Sequence, residues 1–227
     1  MQKMKEFKLD SKQKQQFEKY YEFLVQENQK FNLTSITEKN EVYIKHFYDS
    51  LKLTEALDFS KIEKLLDIGS GAGFPGVPVK IMYPNLQLYI IETTMKKTRF
   101  LAELIELLEL ENVEIINGRA EEVIVNYREF FPVVTARAVA NLPMLLELCL
   151  PYAEAGGFFL AMKGSAYLEE LERAENALKL LDSEVIGEIK YQLPDNYGDR
   201  VILKIRKNKP TKEMYPRKFA VIKKRHL

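Results

Sequence analysis

The chain has no tryptophan, one cysteine and only two histidines in 227 residues. The lone Cys149 excludes an internal disulfide and any multi-cysteine zinc or iron–sulfur site. Two histidines, His46 and His226, speak against a histidine-rich metal centre. No long apolar run exists either. The most apolar stretch, 142–162, is interrupted by Pro143, Glu147, Pro151 and Glu154, and the first ten residues (MQKMKEFKLD) contain no signal-peptide core. The expectation is a soluble cytoplasmic protein with no membrane segment, no metal and a reduced thiol. With 46 % apolar and 30 % charged residues, the chain is long enough to bury a substantial core.

Net charge is also small, +1, but unevenly spread. Residues 204–227 hold ten Lys and Arg and one acid, while the other 203 residues carry 24 basic and 32 acidic groups, a net of −8. An acidic body with a basic end suits contact with a polyanion, and a merely solvated tail is the plain alternative.

Ser11 is placed to cap a helix of about 20 residues whose apolar positions, Phe17 to Phe31, follow one helical stripe. A second amphipathic helix is predicted over 39–57. From residue 62 the pattern changes to short apolar strands alternating with helices: strands at 64–69, 86–92, 113–117, 132–136 and 157–163, and helices at 96–110, 142–152 and 166–181. That alternation implies an α/β, doubly wound and mostly parallel sheet. The last two strands, 186–193 and 200–206, flank the turn sequence DNYGD (195–199) and should form an antiparallel hairpin. The expected division is an N-terminal helical extension (1–60), a core (61–207) and a basic tail (208–227), packed as one domain.

Four of the ten glycines fall within LLDIGSGAGFPG (65–76), at Gly69, Gly71, Gly73 and Gly76. Glycines after a strand permit positive φ and let bare backbone approach a ligand. A dinucleotide is one candidate. Asp67, two residues before Gly69, would repel a pyrophosphate and suit a cationic ligand such as S-adenosylmethionine, and Pro75 removes a donor that a phosphate clamp needs. Glu92, ending the second strand, is placed to accept from ribose hydroxyls, and Glu121 and Glu122 after the third strand to reach an adenine edge. The fourth strand ends in Arg137 and the fifth in Lys163, with no nucleophilic cysteine nearby. Cys149 reads as a small buried residue, and Asn32 and His46 as structural. A cationic site of this kind suits an acceptor with its own lone pair, such as guanine N7, which has no proton to remove.

FNLTSIT (31–37), HFYDSL (46–51), LLDIGSGAGFPGVPVKI (65–81), KKTRFL (96–101), NGRAEEV (117–123), TARAVA (135–140), AMKG (161–164) and YPRK (215–218) together resemble the bacterial small-subunit ribosomal RNA methyltransferase family that makes 7-methylguanine, also called glucose-inhibited division protein B. The resemblance implies a class I methyltransferase fold, S-adenosylmethionine as donor, a guanine N7 in 16S ribosomal RNA as acceptor, and cofactor contacts at Gly69, Phe74, Ala120, Glu121 and Arg137. Glu92 stands where many relatives have Asp. The residues expected to contact cofactor are thus these five with Asp67, Gly71, Gly73 and Glu92. Arg137 and Lys163 are the catalytic candidates, and Lys163, Arg200, Arg217 and Lys218 the RNA contacts. A monomer is expected, with a tail that binds RNA alone, leaves the cofactor site untouched and is mobile over 223–227. A small-molecule methyltransferase, an NAD-dependent oxidoreductase and an RNA-binding module with a vestigial cofactor loop are the rival readings.

Overall fold

The computed structural model describes residues 2–227, with side chains from residue 4 onward. Seven strands form one sheet in the order β3-β2-β1-β4-β5-β7-β6. β1 (Lys64–Ile68), β2 (Gln87–Glu92), β3 (Val113–Asn117), β4 (Phe131–Arg137) and β5 (Ala153–Lys163) are parallel. β6 (Ser183–Gln192) and β7 (Asp199–Lys207) form the expected antiparallel pair, and β7 also runs antiparallel to β5, so the hairpin's second strand lies inside the sheet. β5 begins earlier than the sequence suggests. Gly157 reads as its lower boundary, yet Phe131 pairs with Ala153 and the register shifts before Val133, so Gly156 and Gly157 sit within an irregularity of the pairing.

The helices are α1 (Ser11–Asn28), α2 (Lys39–Glu41), α3 (Asp49–Leu51), α4 (Gly76–Met82), α5 (Met95–Leu107), α6 (Ala120–Val123), α7 (Leu142–Cys149), α8 (Tyr167–Leu180) and α9 (Phe219–Lys224). Asp10, not Ser11, caps α1: its carboxylate accepts from Gln13 N–H, and the Gln13 side chain returns a bond to the Asp10 N–H. α5 stops short of 110 because Glu109 takes a left-handed φ of 52°, which ends the helical ladder. The second predicted helix is not uniform. α2 and α3 are joined by a π-helical stretch, Val42–Tyr48, and a 3-10 turn, Lys52–Glu55, follows. The insertion is invisible to an amphipathic count, since a π turn shifts which side chains share a face.

Both sheet faces are covered. Leu65, Leu88 and Val133 bury against α1, α4, α5 and the π stretch, in a cluster with Phe17, Tyr20, Leu24 and Phe47. Leu66, Ile68, Val134 and Ala136 point the other way, toward α7, α8 and α9. The N-terminal helices therefore share a core with the sheet. Each fully buried Leu or Phe contributes about 2–3 kcal/mol relative to exposure. The carboxyl ends of β1, β2, β4 and β5 converge beside the point where strand order reverses, between β1 and β4, the place where open α/β sheets bind ligands.

Candidate active site

The glycine loop is built as its sequence demands. Gly69, Gly71 and Gly73 adopt φ of 72°, 61° and 101°. Asp67 lies fully buried beneath them, and its Oδ2 accepts from Ser70 Oγ at 2.5 Å and Gly76 N–H at 2.8 Å. It thus braces the loop from below and faces neither cavity described next, which corrects the expectation of a ligand-facing carboxylate. Burial raises its pKa to about 6, against the opposing effect of those two bonds.

From above, α1 holds the same loop. Tyr20 Oη donates to the Ala72 carbonyl at 2.5 Å and its ring stacks on Phe74 at 5.4 Å. Other groups also pack on Phe74: His46 stacks at 4.5 Å, Phe47 lies tilted at 6.0 Å, and the Arg137 guanidinium carbon lies 5.0 Å from the ring centre. Phe74 is buried and lines neither cavity; its ring packs on Arg137 and His46 and helps position them.

Two cavities flank residues 138–140, which form a wall of both. The first, about 380 Å³, is lined by Gly69, Ile91, Glu92, Ala120, Glu121 and Phe219, among others. Glu92 ends β2 with Oε2 accepting from Gly71 N–H at 3.1 Å and Oε1 from Thr94 N–H at 2.9 Å. Oε1 also takes a longer bond from Thr93 Oγ1 at 3.4 Å, so with about two acceptor sites per carboxylate oxygen it is Oε2 that keeps capacity for a hydroxyl in the cavity. Ile68, Ile91 and Leu148 supply apolar wall. Donor set and walls fit an adenosyl group. Glu121 lines the cavity as well, with Oε1 accepting from Arg119 Nε at 2.6 Å, which fixes the orientation of its carboxylate. Gly71 and Gly73 shape the loop without lining the cavity.

The second cavity, about 680 Å³, is lined by His46, Asp49, Arg137, Lys163, Glu170 and Arg200, among others. Arg137 Nη1 donates to Asp49 Oδ2 at 3.0 Å and to the Lys45 carbonyl at 3.2 Å, and Nη2 faces His46 Nδ1 at 3.4 Å. Arginine can only donate, so His46 Nδ1 accepts and its proton sits on Nε2, donated to Thr34 Oγ1 at 2.9 Å. Burial, reinforced by the nearby Arg137 charge, lowers the His46 pKa to about 3. Lys163 Nζ donates to the Ala140 carbonyl at 2.8 Å and Glu170 at 2.7 Å, fixing the dividing segment. Arg200, at the rim, lies 3.8 Å from Asp49 Oδ1.

Ala138 takes a left-handed φ of 55°, and Val139 folds over the end of β1. A Cβ on Gly69 would lie only 2.5 Å from Val139 Cγ2, so glycine permits this closure. His46 and Asp49, read as outside the site or not read at all, are central to it. Their signal was two polar residues, three apart, enclosing the aromatic pair Phe47 and Tyr48. Cys149 is buried as expected, with burial pushing its thiol up.

The basic tail differs most from expectation. Arg217 forks onto fully buried Glu147, with Nε and Nη2 at 2.7 and 2.6 Å from its two oxygens, so it is paired with the body and does not stand as a free surface charge. Tyr215 and Ile222 are buried, and His226 Nε2 pairs with Asn141 Nδ2 at 3.0 Å. Lys223 and Lys224 thus close a docked helix, and residues 225–227 follow it. Lys218 is exposed. Among the described residues, no helix is long and apolar enough to cross a membrane, and no three His, Cys, Asp or Glu side chains gather to hold a metal ion.

Sheet order, glycine loop and an adenosyl-fitting cavity at the strand-order reversal define a class I S-adenosylmethionine-dependent methyltransferase. The same fold is found in M. jannaschii TYW2, solved with AdoMet (TM-score 0.58, 17 % identity, 71 % of this chain and 76 % of that one), and in MtNAS (TM-score 0.61, 16 % identity, 86 % and 71 %). A family model described as GidB, rRNA small subunit methyltransferase G, matches residues 13–192. Ribosomal RNA small subunit methyltransferase G of Staphylococcus saprophyticus is 47 % identical over 211 residues, covering 92 % of this chain and 88 % of the relative. The Streptococcus gordonii protein of that name is 49 % identical over 222 residues, covering 96 % and 93 %. The chain belongs to this methyltransferase family, and S-adenosylmethionine is its cofactor.

Proposed function

We propose that the protein methylates N7 of one guanine in 16S ribosomal RNA, free or within the small ribosomal subunit. The observation that carries this reading is the pair of cavities meeting across residues 138–140, one fitting an adenosyl group, the other large, open and lined by Arg137, Lys163 and Arg200. The cofactor, when bound, supplies an electrophilic methyl on a sulfonium. Guanine N7 offers a lone pair with no proton to lose, so no general base is required.

The second cavity agrees, because each candidate base there is already engaged. His46 gives its Nε2 proton to Thr34 and its Nδ1 lone pair to Arg137. Asp49 accepts from Arg137 and from Tyr191 Oη at 2.7 Å, and Glu170 from Lys163 and the Leu142 N–H. Arg137, locked between Asp49 and Phe74, orients the acceptor, and positioning does most of the work. Lys163 acts by holding the dividing segment. In this reading Arg200, at the cavity rim, and exposed Lys218 contact phosphates. One chain completes both cavities, which suits a monomer working in the cytoplasm.

Incubating the enzyme with unmodified 16S ribosomal RNA and methyl-labelled cofactor should place the label in 7-methylguanine. Strand scission at that nucleotide after borohydride and aniline treatment maps it. Label on an exocyclic amine or a pyrimidine carbon overturns the proposal.

A further inference from the structure

The C-terminal segment supplies a wall of the first cavity. Phe219, first residue of α9, lines it beside Arg119, Ala120 and Glu121. The Arg119 guanidinium carbon lies 4.0 Å from the Phe219 ring centre, and Arg119 is itself fixed by Glu121. Two residues earlier, Arg217 anchors the segment. Its backbone N–H donates to Glu147 Oε1 at 2.9 Å in addition to the two guanidinium bonds. Glu147 is fully buried on α7, the helix whose Met144 and Leu148 line the same cavity. A carboxylate so placed needs its partner, so the body is built to receive the tail. Ile222, buried on the other side of Phe219, makes a second anchor, while Lys218, Lys223, Lys224 and Arg225 remain exposed.

The position of Phe219 indicates what it meets. It stands beside Ala120, at the β3 side of the cavity, whereas Gly69 belongs to β1 at the other side. Glu92, between them on β2, marks the ribose. The part of an adenosyl cofactor beyond the ribose on the β3 side is the adenine, whose flat face matches an aromatic ring backed by a guanidinium.

We propose that Phe219 and Arg119 form the adenine end of the cofactor site, and that docking of residues 215–225 and occupancy of that site are thermodynamically linked. A ligand that touches Phe219 binds the docked tail and not the released one, so each must stabilise the other. The inference rests on the cofactor reading of the first cavity.

Calorimetry on the full chain with S-adenosylhomocysteine and with methylthioadenosine tests it. If the wild-type protein binds neither, the cofactor reading itself fails. If it binds both, Phe219→Ala should weaken both by about tenfold and to the same extent, as expected for loss of one stacked base face. Phe219→Tyr should restore binding, and Lys223→Ala with Lys224→Ala should leave it unchanged. Trypsin cleavage at 223–225 should slow when S-adenosylhomocysteine is added to the wild-type protein, and not in Phe219→Ala. Should Phe219→Ala fail to fold, Phe219→Leu carries the same comparison. Affinities within twofold of wild type in the folded variant, a loss confined to S-adenosylhomocysteine, or tail cleavage indifferent to ligand would each overturn the proposal.

Discussion

Arg137 and Asp49 are joined at 3.0 Å across 88 residues of sequence, tying the end of β4 to the helix that follows the π stretch. Both are largely buried, with side chains 14 % and 5 % exposed. Removing Asp49 leaves a cation with a carbonyl, the Phe74 ring and a weak imidazole contact but no counter-charge. Asp49→Ala should therefore cost about 3 kcal/mol in urea unfolding, and Arg137→Ala with Asp49→Ala less than the two single losses added. Arg137→Lys should stay folded and lower kcat severely, because a lysine cannot span Asp49 and Lys45 together. Turnover within a few-fold of wild type would make Arg137 a purely structural residue.

The buried His46 predicts a pH dependence of stability. Its folded pKa of about 3 lies below the ordinary 6.5, so the unfolded chain binds its proton first as pH falls. Stability is complete above pH 6.5 and is lost progressively below it. At about 1.4 kcal/mol per unit, the loss by pH 4 approaches about 3 kcal/mol. His46→Gln should flatten this limb of the unfolding free energy against pH. Parallel curves for the two proteins would show that His46 does not carry it.

Two loop glycines should respond differently to alanine. A Cβ at Gly73 would stand 2.5 Å from Tyr20 Oη and 2.9 Å from Val77 Cγ2, whereas one at Gly71 meets nothing within 4 Å. Both adopt positive φ, so Gly71→Ala should cost about 1 kcal/mol from backbone strain alone. Gly73→Ala should cost about 3 kcal/mol or more, since strain and collision add. Denaturant midpoints of the two variants, compared directly, check the order.

Glu92 joins loop and ligand. Glu92→Ala should weaken S-adenosylhomocysteine binding by about 10–150-fold through lost charge-assisted hydrogen bonds. Glu92→Gln keeps an oxygen for the Gly71 or Thr94 N–H and should fall between Ala and wild type. Calorimetric affinity for wild-type, Gln and Ala forms in any other order would remove Glu92 from ligand contact.

Much of this was legible before the fold was known, for reasons that are local. A strand buried on both faces is a continuous apolar run, so Leu65, Leu66 and Ile68 announced β1, and the glycines after them could only be a turn of unusual φ. Glu92 was readable because it ends the neighbouring strand. Asp67 was misread in direction: the sequence places it at a strand end, but strand alternation points it under the loop. His46 and Asp49 were hidden because a π turn alters the face a residue occupies. The role of Phe219 depends on Glu147 receiving Arg217 across 70 residues, and no short-range pattern encodes such a contact. Basic composition marked the tail as polar, and gave no sign that its apolar residues seat it against the body.

The bond from Tyr20 to the Ala72 carbonyl bears on how far the enzyme can be reduced. The turn that shapes the methyl donor's site is gripped by a residue from the first long helix, and Gly73 is small so that this hydroxyl can arrive. Taking away residues 1–60 would remove that grip together with the Asp49 partner of Arg137. The seven-stranded layer therefore has no claim to be a minimal catalyst. Shortened versions should be trimmed from within surface turns, with the helices at the beginning of the chain left in place.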